Sequence, residues 1–192
     1  AVPVRNDERL FERRIRTLVA AQGFTEVYNH SFVSEEQALA FGFNPDEHVR
    51  VANPISSEQG LMRLSLLPNI VRNIRDNLRH FGEFRLFELG FEIHKRSSGL
   101  PDEILHLVAA VFRKDDGRAN LAELKRLALC LMPGCEARPS AARSFEHPAR
   151  AAGLHWQGAL VGRLFELYPG VVEGRAGILD IDLRAMKEHQ PG

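Results

Sequence analysis

The spacing of apolar residues changes several times along this chain, and each change predicts a new element of structure. Between residues 65 and 79, apolar side chains recur every three or four positions, which is typical of a helix with one buried face. Ser65 is placed to cap this helix, and Pro68 would be tolerated in its first turn, where a missing N–H group costs little. The apolar face consists of Ile70, Val71, Ile74 and Leu78.

Alternation replaces the helical spacing after Gly82. In residues 84–94 every second side chain faces the same way, which predicts a strand. One face of this strand carries Phe87, Leu89, Phe91 and Ile93. The other face carries Leu86, Glu88, Gly90, Glu92 and His94.

The other segments predict an α+β fold. Helices are expected over residues 7–22 and 34–41, and from a cap at Asn120 to Pro133. A hairpin is expected about Gln157 and Gly158. Because turns or single helices separate most strands, we expect an antiparallel β-sheet flanked by helices, with the helices packed on one side, in a single domain over residues 1–192. The expected strands are 24–32, 49–52, 104–112, 151–156, 159–167 and 178–183.

Composition adds little to this picture. The 192 residues carry 25 basic and 25 acidic side chains, so no global field indicates nucleic acid or membrane as a partner. No apolar run is long enough to span a bilayer. Cys130 and Cys135, the only cysteines, lack a second ligand pair at zinc spacing, which favours a reduced, cytoplasmic protein.

Three segments carry a family resemblance. NPISSE, MRLSLLPN and FRLFELGFEIHK, in this order and spacing, resemble the synthetase-like core of the bacterial phenylalanine–tRNA ligase beta subunit. The resemblance continues upstream through GFTEVYNHSF, and downstream through LPDEILHLVAAVF and HPARAAGLHWQGALVGRLFELYPGV, so it covers nearly the whole chain. It implies a class II aminoacyl-tRNA synthetase-like core, and a segment of a longer beta subunit.

The resemblance also implies partners. In the family, the beta subunit assembles with a catalytic alpha subunit into an α2β2 enzyme that charges tRNA(Phe) with phenylalanine, using ATP and Mg²⁺. No cofactor is expected in this chain itself. The first helix, strand 24–32 and the SLLPN helix are the expected contacts with the alpha subunit. The candidate contact residues are Phe24, Val27, Phe32, Pro54, Arg63, Leu66, Leu67 and Pro68.

The residues argue against catalysis by this chain. Activation of an amino acid requires fixed arginines around the phosphates, because phosphoryl oxygens gain charge in the transition state. The catalytic pattern of the family places Arg and Glu on the same face of a strand, whereas Arg85 and Glu88 have opposite parity. Gly174-Arg175 precedes a strand-like run where a catalytic relative has a helix. We therefore predict no catalytic residue, and regard Arg85 and Glu88 as a degenerate motif.

Other interpretations remain open. The polar strand face with Gly90 could belong to a free-standing small-ligand-binding or regulatory module. Direct RNA contact could run through Arg72, Arg75 and Arg79, opposite the apolar face of their helix. The eight histidines show no metal-binding spacing, so no metal site is predicted, and Asp180 with Asp182 is expected to face solvent.

Overall fold

A computed structural model of the chain describes residues 5–54, 56 and 59–190. The helices are α1 (Asp7–Ala21), α2 (Glu35–Ala40), α3 (Leu67–Asn77), α4 (Gly117–Leu131) and α5 (Leu183–Glu188), and Pro45–Glu47 forms a 3₁₀ turn. The strands are β1 (Thr25–Glu26), β2 (Phe32–Val33), β3 (Leu61–Met62), β4 (Glu83–His94), β5 (Asp102–Arg113), β6 (Glu136–Pro139), β7 (Glu146–Trp156), β8 (Ala159–Leu167) and β9 (Arg175–Asp182). None of these helices is long and apolar enough to cross a bilayer.

Seven strands form one sheet in the order β1-β4-β5-β9-β8-β7-β6. Every pairing is antiparallel except that of β1, which runs parallel to β4. The predicted hairpin joins β7 to β8 through Gln157 and Gly158, whose φ angles of +50° and +84° give the turn that matches strand twist. The predicted α+β class is therefore confirmed, with one parallel edge strand added.

Helices cover both faces of the sheet, so the expectation of helices on one side is wrong. Ile15 of α1, Leu124 of α4 and Met186 of α5 pack on the face that carries Phe87 and Leu107. We call this the α4 face. On the opposite side the buried residues of α3 pack on the face that carries Leu86, Val108, Ile178 and Phe165. We call this the α3 face.

Three local predictions need correction. Residues 24–32 do not form one strand: the chain pairs with β4 only at Thr25–Glu26, then leaves it, and Phe32–Val33 pairs with β3 instead. Residues 49–52 make only an isolated bridge, from Arg50 to Leu61.

The third correction concerns the start of α4. Asp116, which accepts a hydrogen bond from the Ala119 N–H, caps this helix. Asn120 is instead fully buried in the first turn. Its amide donates to the Arg175 carbonyl and its oxygen accepts from Arg113, so it ties the helix to β9 and β5.

Candidate functional site

The α3 face carries a set of polar residues at its centre. Alternation along β4 places Glu88, Gly90 and Glu92 on this face, and the strand register adds His106 of β5 and Asp180 of β9. We call these five residues the polar strip. It is the strand face that the sequence indicated as a possible ligand surface.

A buried ion pair occupies one end of the polar strip. Arg63, which follows β3, donates from Nη1 to Oε1 of Glu88 at 2.6 Å and from Nε to the Phe91 carbonyl at 3.0 Å. Both charged side chains are only 3% exposed. Asn29 donates to the other carboxylate oxygen of Glu88 at 2.8 Å and also to Asn73 on α3. This network joins β4 to α3 and to the two segments that carry Asn29 and Arg63.

The space above Gly90 is filled by the same guanidinium. A Cβ atom built on Gly90 would overlap Arg63 Nη2 and would lie 3.4 Å from Glu88 Oε1. The hypothesis that Gly90 leaves room for a small molecule is therefore wrong, because Arg63 of this chain lies where the ligand would lie. The glycine instead permits the close approach of Arg63 to the strand.

The other end of the polar strip holds a histidine between two carboxylates. Nδ1 of His106 lies 2.9 Å from Asp180 Oδ1, and its Nε2 lies 3.4 Å from Glu92 Oε2. Burial alone lowers the pKa of His106, but Asp180 and Glu92 outweigh it and raise this pKa to about 9. Burial also raises the pKa of the Glu92 carboxyl, against a hydrogen bond from His94. The expectation that Asp180 and Asp182 face solvent is wrong, because Asp180 bonds His106 and Asp182 caps α5.

The opposite parity of Arg85 and Glu88 is present in the structure. Arg85 lies on the α4 face, where its Nε bonds Glu123 of α4, and its Nη2 bonds Glu83 at 2.7 Å. Arg113 bonds the same two carboxylates. A guanidinium held in this way on the far side of the sheet cannot meet a nucleotide on the face that carries Glu88.

In the described residues, neither end of β9 offers a free arginine that could bind phosphate. Arg175 is the first residue of β9, which starts before the strand predicted over 178–183, and it bonds the buried carboxylate of Glu166. A helix does follow this strand, and Arg184 in its first turn was not considered from the sequence. Arg184 makes two hydrogen bonds to Asp102 and one to the Glu103 carbonyl. The arginines at the start of β9 and just after its end therefore do not fit a nucleotide site.

A separate groove of about 730 Å³ lies on the α4 face, between α1, α5 and the near ends of β4 and β5. Phe11, Phe91, Leu105 and Leu183 form its apolar lining. It is on the wrong side of the sheet to serve the polar strip.

Most of the residues proposed as contacts with an alpha subunit are buried within this chain. Their side chains cannot form a surface for a partner, and as contact residues these predictions are wrong; they are Phe24, Arg63, Leu66, Leu67 and Pro68. Leu66 and Leu67 are buried because the N-terminal end of α3 packs into the core on the α3 face. Phe24 belongs to the core on the α4 face, and Arg63 is buried in its ion pair with Glu88. Val27 and Phe32 are half-buried and Pro54 is exposed, so these three retain accessible surface.

The three arginines proposed for RNA contact are exposed: Arg72 and Arg75 lie on α3, and Arg79 lies in the turn that follows this helix. Arg75 already donates from Nε and Nη2 to the Val171 carbonyl, at 3.1 and 2.8 Å. Arg72 and Arg79 are the two whose side chains would meet a phosphate first. Direct RNA contact stays a prediction.

The site residues that sequence reasoning missed are Asn29, Arg63 as a partner of Glu88, and His106. Their roles depend on strand register and on loop contacts across 25 to 74 positions of sequence. The even parity of Glu88 and Glu92 was the one available signal, since it placed both carboxylates on one face.

Sequence comparison with known proteins identifies the family of this chain. Residues 2–178 match the family model described as the phenylalanyl tRNA synthetase beta chain CLM domain. The phenylalanine–tRNA ligase beta subunit of Solibacter usitatus is 55% identical over 194 residues, covering 100% of this chain and 25% of that protein. The beta subunit of Xanthomonas euvesicatoria is 31% identical, covering 93% of this chain and 24% of the relative. The chain thus spans about a quarter of the length of these relatives.

Solved structures show the same fold at low identity. A pyrrolysyl tRNA synthetase, PylSc of Desulfitobacterium hafniense, superposes with a TM-score of 0.76 over 98% of this chain and 70% of that chain, at 15% identity. This likeness establishes a class II synthetase-like architecture. With the family match, it leads to one conclusion: the chain belongs to the family of phenylalanyl tRNA synthetase beta chain CLM domains.

Proposed function

We propose that this chain is a catalytically silent core domain of a phenylalanine–tRNA ligase beta subunit. In this role it supports the alpha subunit, which charges tRNA(Phe) with phenylalanine in the cytoplasm, using ATP and Mg²⁺. The observation that carries the proposal is the position of Arg63: its guanidinium fills the space above Gly90 and bonds Glu88 and a carbonyl of its own chain.

A guanidinium in this state cannot assist phosphoryl chemistry. Two of its nitrogens already donate to internal acceptors, and releasing it would leave the Glu88 carboxylate buried without its counter-charge. Arg163, also on the α3 face, is held in the same way by Glu146 and by the Ala141 carbonyl. The charges that an active site would direct at ATP are therefore directed inward, which suits a scaffold.

Accessible apolar residues near the start of the sheet are the proposed contact with the alpha subunit. Tyr28 is 77% exposed, and Val27 and Phe32 on either side of it are half-buried. An aromatic side chain that acts as an interface hot spot contributes about 2 kcal/mol or more to binding. We therefore expect Tyr28→Ser to lower the affinity for the alpha subunit by about 30-fold.

Analytical ultracentrifugation with the alpha subunit of the same enzyme tests this proposal. A complex is expected at micromolar concentration with the wild-type chain. The matched control is Leu100→Ser, because Leu100 is 84% exposed in a distant loop; it should leave binding unchanged. Absence of a complex, or equal loss in both variants, would contradict the proposed contact.

The silent site has its own test. Calorimetric titration of the isolated chain with ATP and with phenylalanine should show no stoichiometric binding. Clear 1:1 binding of either ligand would refute the proposal and would favour a free-standing ligand-binding module.

A further inference from the structure

In the described residues, every buried glutamate but one is paired with arginine. Four glutamates are buried in the described part of the chain: Glu88, Glu92, Glu146 and Glu166. Glu88 pairs with Arg63, Glu146 with Arg163, and Glu166 with both Arg150 and Arg175. Within residues 5–54, 56 and 59–190, Glu92 forms no ion pair with arginine or lysine, and the side chains that lie within 4 Å of its Oε2 as ionic partners are His94 and His106.

Asp180 shares this property. Its side chain is 13% exposed, and its ionic partner in the described residues is His106. Glu92, His106 and Asp180 come from three strands that are adjacent in the sheet, β4, β5 and β9, and all point to the α3 face. One ligand atom from each lies within 4.8 Å of the other two. An imidazole and two carboxylates thus converge on one point from rigid strands.

We propose that Glu92, His106 and Asp180 bind a divalent transition metal ion of the Zn²⁺ class. A set of one nitrogen and two oxygen donors suits Zn²⁺, whereas Mg²⁺ prefers oxygen ligands alone. Coordination uses the neutral imidazole, because only that form offers a ring lone pair to the ion.

The surroundings fit an open coordination position. Three protein ligands leave room in a tetrahedral shell for water or for a fourth side chain. His94 is a candidate for this fourth side chain: its Nε2 lies 3.4 Å from Glu92 Oε2, the same atom that His106 Nε2 approaches, and its side chain is 38% exposed. Metal binding at this site is independent of the proposed scaffold role, because neither property requires the other.

The test is a Zn²⁺ titration of the metal-free chain at pH 8, in competition with a chromophoric chelator. One equivalent should bind to the wild-type chain. His106→Gln and Glu92→Gln should each weaken binding by at least about 100-fold, because a direct ligand is worth no less than the outer-sphere partners whose loss costs about 10–100-fold. His189→Ala is the matched control, since His189 is exposed in the C-terminal segment, and it should bind like the wild type.

Two further measurements remain decisive even where a variant fails to fold. In the wild-type chain, the ring-nitrogen NMR signals of His106 should shift on addition of one equivalent of Zn²⁺, while those of His189 do not. Millimolar Mg²⁺ should leave the Zn²⁺ isotherm unchanged. No stoichiometric binding, unshifted His106 signals, an isotherm displaced by Mg²⁺, or undiminished binding in folded His106→Gln would each overturn the proposal.

Discussion

The ion pair between Arg63 and Glu88 supports a quantitative prediction. Both side chains are 3% exposed and their closest atoms, Nη1 and Oε1, are 2.6 Å apart. Replacing either residue by Met leaves the other charge buried without its partner, which typically costs about 3–5 kcal/mol of unfolding free energy. Replacing both by Met removes the two charges together and keeps most of the volume. The double variant should therefore be no less stable than either single variant.

A double-mutant cycle measures this coupling. Urea unfolding, followed by the fluorescence of Trp156, the single tryptophan and a buried one, gives the unfolding free energy of each variant. The interaction energy between the two sites should be about 3 kcal/mol. The exposed pair Arg50–Glu35, whose side chains are 56% and 57% exposed, is the control, and the effects of its two replacements should simply add because solvent screens the pair.

The reasoning would be refuted by additive losses. If the two single replacements by Met each cost less than about 1 kcal/mol, or if their effects add within about 0.5 kcal/mol, the pair is not a coupled buried unit. The inward direction of the Arg63 charge would then not account for a silent face.

Three other predictions follow from local geometry. Gly90→Ala should destabilise the chain by about 1–3 kcal/mol, because the new Cβ overlaps the guanidinium of Arg63. Gly82→Ala is the control: a Cβ there meets no atom within 4 Å, so this variant should be neutral or slightly stabilising in the same urea assay. The hydrogen bonds from Arg184 lower the pKa of Asp102 to about 2, so this carboxylate stabilises the fold above pH 4 and loses that effect as the pH falls towards 2. An NMR titration should find the low midpoint in the wild type and a midpoint near the ordinary aspartate value in Arg184→Gln. Asn120→Ala should cost about 1–3 kcal/mol in thermal or urea unfolding, because Arg113 and the Arg175 carbonyl lose hydrogen bonds to a fully buried amide.

The elements that sequence reasoning predicted correctly are those set by local periodicity. The alternation in residues 84–94 placed Arg85 and Glu88 on opposite faces, and the structure has them there. The Gln157-Gly158 turn and the helix that starts near Ser65 also depend on neighbours in sequence. In each case the responsible contacts lie within one strand, one turn or one helical face.

The failures share a different cause. Leu66 and Leu67 were proposed as interface residues, yet they are fully buried, because burial depends on which sheet face α3 covers. The partner of Glu88 could not be found from the sequence, since Arg63 lies 25 positions away and reaches it through an irregular segment. His106 and Asp180 are 74 positions apart and meet only through the register of β5 with β9.

The two faces of the sheet explain how this fold can carry buried polar residues beside its apolar core. Successive strand residues point in opposite directions, so Phe87 and Leu89 pack against the α4 side while Glu88 and Gly90 lie on the other face. A change of charge within the polar strip therefore leaves the packing of the α4 face intact. Polar groups that no ligand reaches must still be satisfied, because an unpaired buried charge costs several kcal/mol. Arg63 pairs with Glu88 at one end of the strip. At the other end, Glu92 and Asp180 contact His106 and, as proposed, bind a metal ion with it.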